Sequence, residues 1–519
     1  MRNIFSALAV ISFIPFYYSP TFAKPIKNPQ LENLINALPE KSLTLDLIVA
    51  RAIESSEGFK AVKSQLYSVP VAELKANSAF DTRVTIAQDW LNNKNEPSNA
   101  QSPNDTVNNN LSLGISKYFS TGTALSAQYS QGHNEIGFPT GSFLSIDPYY
   151  ETKASVSLSQ NLWADSFGYA SRRSLRAAQL NTQAQKANFQ TSVESWALGM
   201  IQTYYNAWFS QAQTRAAQES FKRRERLLKA TKLRLSRGNA EKPDYLQVES
   251  AYLMSRARQL EAEKNLDDQW RKLIVKLKLP ADWLDVDSVD VPLKIDDIAP
   301  DAIQICKKFR EKGIPSNDPV ALKAAQLMSE GAKLYWEAAK NKAWPELKLT
   351  GSYFLNGIDS QSNKSTSQAF DRDFPGWTVG LTLSFPIEFS QQKAELSEAI
   401  AKKAQAEALK NDANDDRNLS WLNECANLER LVTTLSDAHI SYKNQNLRAD
   451  LEEKRFRLGR SSTINVIQAG DDETDSQIFL YSTEVALRLT AWKVLELDSQ
   501  IIAKLKDYST KNKSEFKLE

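Results

Sequence analysis

Two regions of the chain alternate apolar and polar residues with a period of two, which predicts strands with one apolar face. In both regions the polar positions are mostly serine, threonine, glycine and glutamine. The apolar positions of the first region are Val84, Ile86, Trp90, Leu111, Leu113, Ile115, Phe119, Leu125, Ala127, Tyr129, Ala154, Val156 and Leu158. Those of the second are Leu347, Leu349, Gly351, Tyr353, Val379, Leu381, Leu383 and Phe385. We therefore predict strands within residues 81–162 and 346–387.

Polar segments separate these strands. Residues 92–110 and 356–373 are rich in Asn, Ser and Asp, so we expect both to be exposed loops. Residues 120–123, Ser-Thr-Gly-Thr, are typical of a tight reversal between two strands.

A helical period covers two much longer segments, residues 166–237 and 390–458. At the rise of an α-helix they are about 105 and 100 Å long, and helices of that length bury an apolar stripe only against other helices. Further helices are predicted as follows: a shorter one after each long helix, to about residues 279 and 505, and others at about residues 44–56, 58–79 and 319–342. Pro70 predicts a break in the helix at 58–79.

The turns that end the two long helices are copies of one motif. The copies consist of Arg234, Gly238 and Gln247, and of Arg455, Gly459 and Gln468, and the offset is 221 residues for each pair. Asp244 and Asn465 also occupy equivalent positions. A glycine at this place closes the C-terminus of a helix in a left-handed conformation. We therefore predict two helix-turn-helix tips and two internal structural repeats.

The patterns divide the chain into six parts. They are a signal peptide at 1–23, a leader at 24–42, a first repeat at 43–280, a solvated linker at 281–318, a second repeat at 319–505 and a polar tail at 506–519. The first part has a basic start, a short apolar run and small residues before Lys24, and a membrane anchor is the alternative interpretation. Cys306 and Cys425 are the only cysteines, and we interpret each as a small residue on a helix face rather than as half of a disulfide bond.

Beyond the N-terminal run no stretch of about 18 apolar residues is present, so insertion of the remaining chain into a membrane would use strands. Strands with one apolar face and aromatic ends are typical of a barrel that spans a bilayer. A water-soluble β-sandwich is the alternative, but its polar face usually carries charged residues. We favour the barrel.

Charge and candidate chemistry exclude several functions. With 64 basic and 62 acidic residues the net charge is +2, which gives no case for a nucleic-acid partner. His133, expected in a loop, and His439 lie far apart, and no GxxxxGK[ST] phosphate loop is present. A calcium loop starting at Asp285 would place Asp290 where glycine is needed, so we favour a solvated acidic segment. We predict no enzyme, no catalytic residue, no metal and no cofactor.

The order of strands, long helix, glycine turn and shorter helix, repeated behind a signal peptide, resembles the TolC-type outer-membrane efflux proteins. The resemblance covers about residues 43–505 and rests most on the paired spacing R-x-x-x-G-x5-[D/N]-x-x-Q. It implies an α+β membrane protein with two internal repeats. Three copies would form an outer-membrane β-barrel, of the Gram-negative type, continued by a long α-helical barrel in the periplasm.

The resemblance also implies roles for the two tips, which in this family close the periplasmic entrance and dock with an adaptor tied to an inner-membrane pump. Carried over by position, the gate comprises Asp244, Asn465, Gln468, Phe456, Arg460 and Ser461. The docking tips comprise Arg234, Gly238, Gln247, Arg455 and Gly459. The best-known members have aspartates at the positions of Asn465 and Gln468, a tyrosine at Phe456 and an arginine at Ser461, so only Asp244 is kept here.

Two departures from the family pattern generate hypotheses. The neutral residues at the entrance predict weaker cation selectivity and a different lock, such as an ion pair between Arg460 and Asp244. The extra strand pair at 111–119 and 123–130 predicts either a barrel with more strands per chain or a flap outside the bilayer.

The sequence thus predicts a passive outer-membrane exit duct of a tripartite efflux pump or a type I secretion system. Its partners would be two further copies, a periplasmic adaptor, an inner-membrane pump and outer-membrane lipid, without nucleic acid. A structural or adhesive surface coiled coil is the alternative, and it leaves the strands and the paired tips unexplained. A periplasmic adaptor is a second alternative, and it needs one helical hairpin rather than two.

Overall fold

A computed structural model of the protein describes residues 42–99, 101–279, 284, 291–315 and 318–512. The expected signal peptide, the leader up to residue 41, the acidic positions 285, 287 and 290 and the tail from residue 513 lie outside the described residues.

The described residues form strands and helices in an order that repeats. The strands are β1 Leu43–Thr44, β2 Arg83–Lys94, β3 Asp105–Tyr118, β4 Thr123–Gly137, β5 Ile146–Asn161, β6 Leu293–Lys294, β7 Glu346–Asp359 and β8 Phe374–Ser384. The helices are α1 Leu45–Ser55, α2 Glu57–Ser64, α3 Val71–Asn77, α4 Tyr169–Ser236, α5 Lys242–Leu277, α6 Ala299–Lys312, α7 Val320–Lys342, α8 Ser362–Asp371, α9 Ser390–Arg457, α10 Thr463–Leu497 and α11 Ile501–Lys511.

Six strands form one antiparallel sheet in the order β2-β3-β4-β5-β7-β8. The extra strand pair lies inside this sheet as parts of β3 and β4, so it is not a separate flap. The loop predicted at residues 92–110 is wrong at both ends, because β2 and β3 stay paired as far as Lys94 and Asp105, and the described residues between them, 95–99 and 101–104, form the connection. Hydrogen bonds between the backbone groups of β2 and β3 form whatever the side chains are. The polar side chains also bond one another, since Asn108 of β3 donates a hydrogen bond to Asn134 of β4 at 2.5 Å.

The register of the sheet gives it one apolar and one hydroxyl-rich face. Leu113 pairs with Ile86 on one side and with Tyr129 on the other, and Tyr129 pairs with Ala154. Directly paired residues point to the same side of a sheet, so these apolar side chains share a face. The described residues leave much of this face uncovered, and Trp377 of β8 is 74% exposed.

The polar segment predicted as a loop at 356–373 instead extends β7 and forms α8. This helix lies on the apolar side of the sheet near the end of β5, where Ser365 donates a hydrogen bond to Thr152 at 2.8 Å. A Cβ at Gly357 would lie 2.0 Å from the Ser365 carbonyl oxygen, so the helix approaches this closely only because residue 357 is glycine.

Two helices of 68 residues dominate the rest of the fold, and each is about 100 Å long. α4 begins at Tyr169 and α9 at Ser390, again 221 residues apart. The preceding Gly168 has φ 73°, and a Cβ there would overlap the Ser120 carbonyl oxygen, so glycine is required where β5 turns into α4. The predicted break at Pro70 is confirmed, since α2 ends at Ser64 and α3 begins at Val71. No helix in the described part of the chain combines the length and apolarity needed to cross a membrane.

The main hydrophobic core lies around the middle of the long helices. α1, α6 and α11 pack there beside the two-stranded parallel sheet of β1 and β6. The solvated linker predicted at 281–318 is therefore wrong for residues 299–312, because α6 buries Ala302 and Ile305. The last helix was expected to run to residue 505, but it ends at Leu497 and α11 follows.

Cys306 of α6 and Cys425 of α9 form a disulfide bond, with their Cα atoms 5.5 Å apart. The prediction that both cysteines are unpaired is therefore wrong. Each does lie on a buried helix face, but the two faces meet in the core across 119 residues of sequence. Nothing in the local pattern indicates that meeting.

α4 also buries an acidic side chain. Glu194 is 4% exposed, and its Oε1 atom has no hydrogen-bond partner. Burial, and secondly the charge of Glu496 on α10, raise the pKa of Glu194 to about 7.

Replacing both Cys306 and Cys425 by alanine is expected to lower the free energy of unfolding by about 2–5 kcal/mol, because the bond restricts the unfolded chain. Thermal unfolding of the purified protein in detergent measures the loss. The unaltered protein under reducing conditions should show the same lower melting temperature. Equal melting temperatures for the variant and the oxidised protein would contradict the prediction.

Replacing Glu194 by glutamine is expected to stabilise the protein above pH 7. The folded pKa of about 7 exceeds the ordinary 4.5, so the native protein loses stability as the pH rises from 4.5 to 7. The loss amounts to about 3 kcal/mol for the ionised side chain. Melting temperatures at pH 5 and pH 8 test this, with the exposed Glu261→Gln as the control. The prediction is contradicted if the melting temperatures of both variants depend on pH in the same way as that of the unaltered protein.

Candidate functional site: the paired helical tips

Both predicted tips end their long helices in the same way. Gly238 and Gly459 have φ 72° and 74°, in the left-handed region. In the first tip the N–H of Asn239 donates to the Arg234 carbonyl, and in the second the N–H of Arg460 donates to the Arg455 carbonyl, each at 2.8 Å. This is the Schellman pattern, in which glycine lets the chain reverse while the last carbonyls stay bonded.

A small apolar cluster holds the two tips of one chain together. Phe456 is 3% exposed and packs with Leu227 and Val248 of the first hairpin, which consists of α4 and α5. The guanidinium carbon of Arg234 lies 4.8 Å from the centre of the Phe456 ring. Arg234 also donates a 3.4 Å hydrogen bond to the Phe456 carbonyl. The second hairpin, α9 and α10, is thus anchored to the first by an aromatic ring beneath a cation.

Asp244 lies at this contact, but its partner is not the predicted one. Its Oδ1 atom accepts a hydrogen bond from Thr463 at 3.3 Å, and Thr463 also reaches Gln247 at 3.2 Å. The other oxygen accepts from the N–H of Glu241 in a capping box. Arg460 lies exposed in its turn and forms no ion pair with Asp244 within the described chain. The predicted Arg460–Asp244 lock is therefore wrong for a single copy.

The remaining predicted residues lie around this contact. Ser461 donates to Glu452 at 2.5 Å, and Arg455 pairs with the same carboxylate at 3.1 Å. The N–H of Asn465 donates to Ser462, which caps α10. Gln468 is exposed one turn further along α10. The side chains of Arg455, Asn465 and Gln468 are exposed on the outside of the tip.

Two arginines that the sequence did not single out tie the hairpins together above the tip. Arg224 of α4 is 4% exposed and donates to the Ile467 carbonyl at 2.6 Å and to Asp471 at 2.7 Å. Arg223 donates to Glu473 of α10 at 2.5 Å. Burial raises the pKa of Glu473, and the charge of Arg223 acts in the opposite direction.

No sequence signal marked these arginines as buried. They belong to the run Lys222 to Arg226, which resembles a solvated basic face, and their counterparts in the second repeat are Asn444 and Gln445. The repeat therefore gave no indication of an ionic contact.

The described residues contain no group of three or more His, Cys, Asp or Glu side chains arranged to hold a metal ion. His133 was expected in a loop and instead lies in β4, where its ring packs on Tyr150 at 4.5 Å and its Nε2 atom lies 3.1 Å from Glu135. His439 lies on α9.

Comparison with known proteins agrees with this architecture. Residues 118–276 match the sequence profile of the family described as outer membrane efflux protein. A search of curated proteins gives no match.

Several solved structures share the fold. VceC, an outer membrane protein of Vibrio cholerae, superposes with a TM-score of 0.63 at 12% identity, covering 87% of this chain and 95% of its own. The CmeC outer membrane channel of Campylobacter jejuni gives 0.64 at 12% identity, covering 90% and 89%. The open state of the MtrE outer membrane channel of Neisseria gonorrhoeae gives 0.56 at 15% identity, covering 87% and 88%. At these identities the likeness concerns the fold, and the match to the family profile concerns residues 118–276.

Proposed function

We propose that this protein is an outer-membrane exit duct for efflux, a passive channel without catalysis of its own. The observation that carries the proposal is the two-faced sheet joined directly to helices of about 100 Å. An uncovered apolar face suits lipid, and a face of serine, threonine and glycine suits a water-filled interior. The disulfide bond suits the oxidising periplasm, which the helices would cross.

The duct needs further copies of the chain. In α4, 23 of 68 residues are buried, whereas in α9 only 7 of 68 are. The sheet also ends in two unpaired edges, β2 and β8. Exposed edges pair readily, and closing the sheet through neighbouring copies would remove them. We therefore propose a homotrimer in which the six strands of each copy form one barrel in the outer membrane, in contact with its lipid.

The extra hairpin would widen that barrel without widening the helical part. The turn between β3 and β4 leads into no helix and lies against the segment that joins β5 to α4, where the N–H of Asn161, at the end of β5, donates to the Gly122 carbonyl at 3.1 Å. Tyr118 bonds Asp165 beside it at 2.9 Å. The narrowest point of the duct would therefore lie among the helices.

We place that narrowest point at the two tips. The contacts of Asp244 with Thr463 and of Phe456 with Arg234 would hold the mouth closed. Asn465 in the first turn of α10 gives the mouth a neutral residue. The exposed turns at Gly238 and Gly459, with Arg455, would receive a periplasmic adaptor that links the duct to an inner-membrane pump.

Purified protein added to planar lipid bilayers is expected to form ion channels with weak cation selectivity. Asn465→Asp combined with Gln468→Asp should shift the reversal potential toward cations, because the added carboxylates attract them at the narrowest point. The exposed Asn444→Asp, farther up α9, is the matched control. Absence of conductance would contradict the duct, whereas strong cation selectivity of the unaltered protein would contradict only the neutral mouth.

Thr463→Val is expected to raise the conductance of the closed channel. Valine keeps the shape of threonine but loses the hydroxyl, whose single hydrogen is shared between the Asp244 and Gln247 oxygens in a bond worth about 1 kcal/mol. Thr474→Val is the matched control, because Thr474 bonds only the Gly470 carbonyl of its own helix at 2.8 Å. Equal closed-state conductance in both variants would show that Thr463 does not hold the mouth.

A further inference from the structure

A shallow groove of about 500 Å³ lies on the apolar face of the sheet, next to α8. The smallest apolar side chains that line it are Ala127 of β4 and Ala154 of β5. Ala127 pairs with Ile115 of β3, and Ala154 pairs with Leu355 of β7, so larger side chains flank the two alanines. The groove therefore has a floor of small residues between two bulkier walls.

α8 closes one end of this groove. Phe370 of α8 lines the groove and stacks on Tyr129, with the two ring centres 6.4 Å apart. The side chain of Phe370 is still 56% exposed, so it forms a wall of the groove and not part of a core. Gln131 donates a hydrogen bond to Thr366 of α8 at 2.9 Å, which helps to hold the helix in place. A polar helix is thus fixed on an apolar face, with an aromatic ring beside the groove.

The hydrogen bonds of α8 mark where the apolar part of this face ends. Beyond Tyr129 and Ala154 the next residues on the same face are Gln131 and Thr152, and both bond hydroxyl groups of α8. They lie toward the end of the sheet that points away from the long helices, since α4 follows the other end of β5. In the proposed duct this end faces the outside of the cell. The groove therefore lies at the level of the outer leaflet.

The segment that closes the groove also carries two cations. Lys364 of α8 and Arg372, directly after it, are exposed, and neither forms an ion pair with another described residue. The acidic residues Asp359 and Asp371 each accept a hydrogen bond at 2.9 Å from their own turn, and Asp373 is exposed. The polar end of the groove thus presents two cations without a carboxylate partner among the described residues.

We propose that each copy of the chain binds one phosphorylated, acylated glycolipid of the outer leaflet, of the lipid A class, with one acyl chain in the groove and a phosphate at Lys364 and Arg372. The inference rests on the proposed function, because the apolar face has to meet a membrane. α8 then keeps one lipid at a fixed place on the barrel, whereas lipids exchange freely along the rest of the apolar face.

The position and the chemistry of the site favour a lipid over a protein as the occupant. A lipid has one apolar and one charged end, and the site likewise joins an apolar groove to exposed cations, which form strong hydrogen bonds with phosphate. The groove centres on β4 and β5, and both strands are paired on each side within the sheet. Neighbouring copies that join at the edges of β2 and β8 therefore leave the groove uncovered.

Lipid binding to the detergent-purified protein tests the groove. Native mass spectrometry after incubation with lipid A is expected to show one bound lipid for each chain. Ala154→Phe fills the floor of the groove and should abolish this binding. Leu383→Phe is the matched control, because it adds bulk to the same face on β8, outside the groove. Equal binding by Ala154→Phe and the unaltered protein would overturn the proposal, as would a bound mass that corresponds to a polypeptide.

A surface substitution tests the headgroup contact without altering the groove. Lys364→Ala with Arg372→Ala is expected to weaken the binding of lipid A at least about tenfold, because hydrogen bonds between charged groups are lost. Lys264→Ala with Arg256→Ala removes the same charges from the exposed surface of α5 and is the matched control. Lipid A without its phosphates should bind the unaltered protein and the first double variant equally. Equal binding of intact lipid A by both double variants would overturn the proposal.

Two further results separate this proposal from the proposed function. Preferential binding of phosphatidylethanolamine over lipid A would overturn the assignment to the outer-leaflet glycolipid. Absence of conductance from the unaltered protein in planar bilayers would instead contradict the duct, while the lipid count would still decide whether the groove binds a lipid.

Discussion

The apolar stripes of two helices of 68 residues constrain the whole structure, because helices of that length bury nothing by themselves. One chain covers α4 with α5, α7 and α10, and Ile201 of α4 is fully buried. The equivalent residue of α9, Leu422, is 60% exposed. Apolar surface left in water costs about 25 cal/mol per Å² relative to its burial. A single chain thus buries the apolar stripe of only one of its two long helices. The unpaired edges of the sheet likewise indicate that further copies complete the packing.

Long, regular elements were predictable from the sequence, and short or irregular ones were not. The period of 3.6 located α4 and α9 to within about three residues because the pattern holds over many turns. Polar composition wrongly predicted a loop at the asparagine-rich ends of β2 and β3, where backbone hydrogen bonds between the strands hold the residues in the sheet. It also hid α6 and α8, since an amphipathic helix of 10 to 14 residues gives few repeats of its pattern. The bond between Cys306 and Cys425 depends on how α6 meets α9, which no local pattern records.

The tips show the same division at the scale of single residues. The left-handed turns at Gly238 and Gly459 were predictable from the sequence, because the conformation that ends a helix in this way is a local requirement met by glycine. The contact between Asp244 and Thr463, and the burial of Arg224, depend on how two hairpins dock. A family resemblance gave the place of the contact, but within one chain the partner of Asp244 is Thr463, and Arg460 is exposed in its turn. The position of the contact could be transferred from the family, but the identity of the residue that pairs with Asp244 could not.

The equal length of the two long helices has a consequence for how such a chain tolerates insertions and deletions. Removing one residue from α4 alone would raise its tip by about 1.5 Å and turn every later side chain by about 100°. Gly238 and Gly459 would then lie at different heights around the mouth, and the covering helices would meet the wrong faces. A change in length therefore has to occur in both repeats together, because each long helix separately sets the distance between the sheet and its own tip.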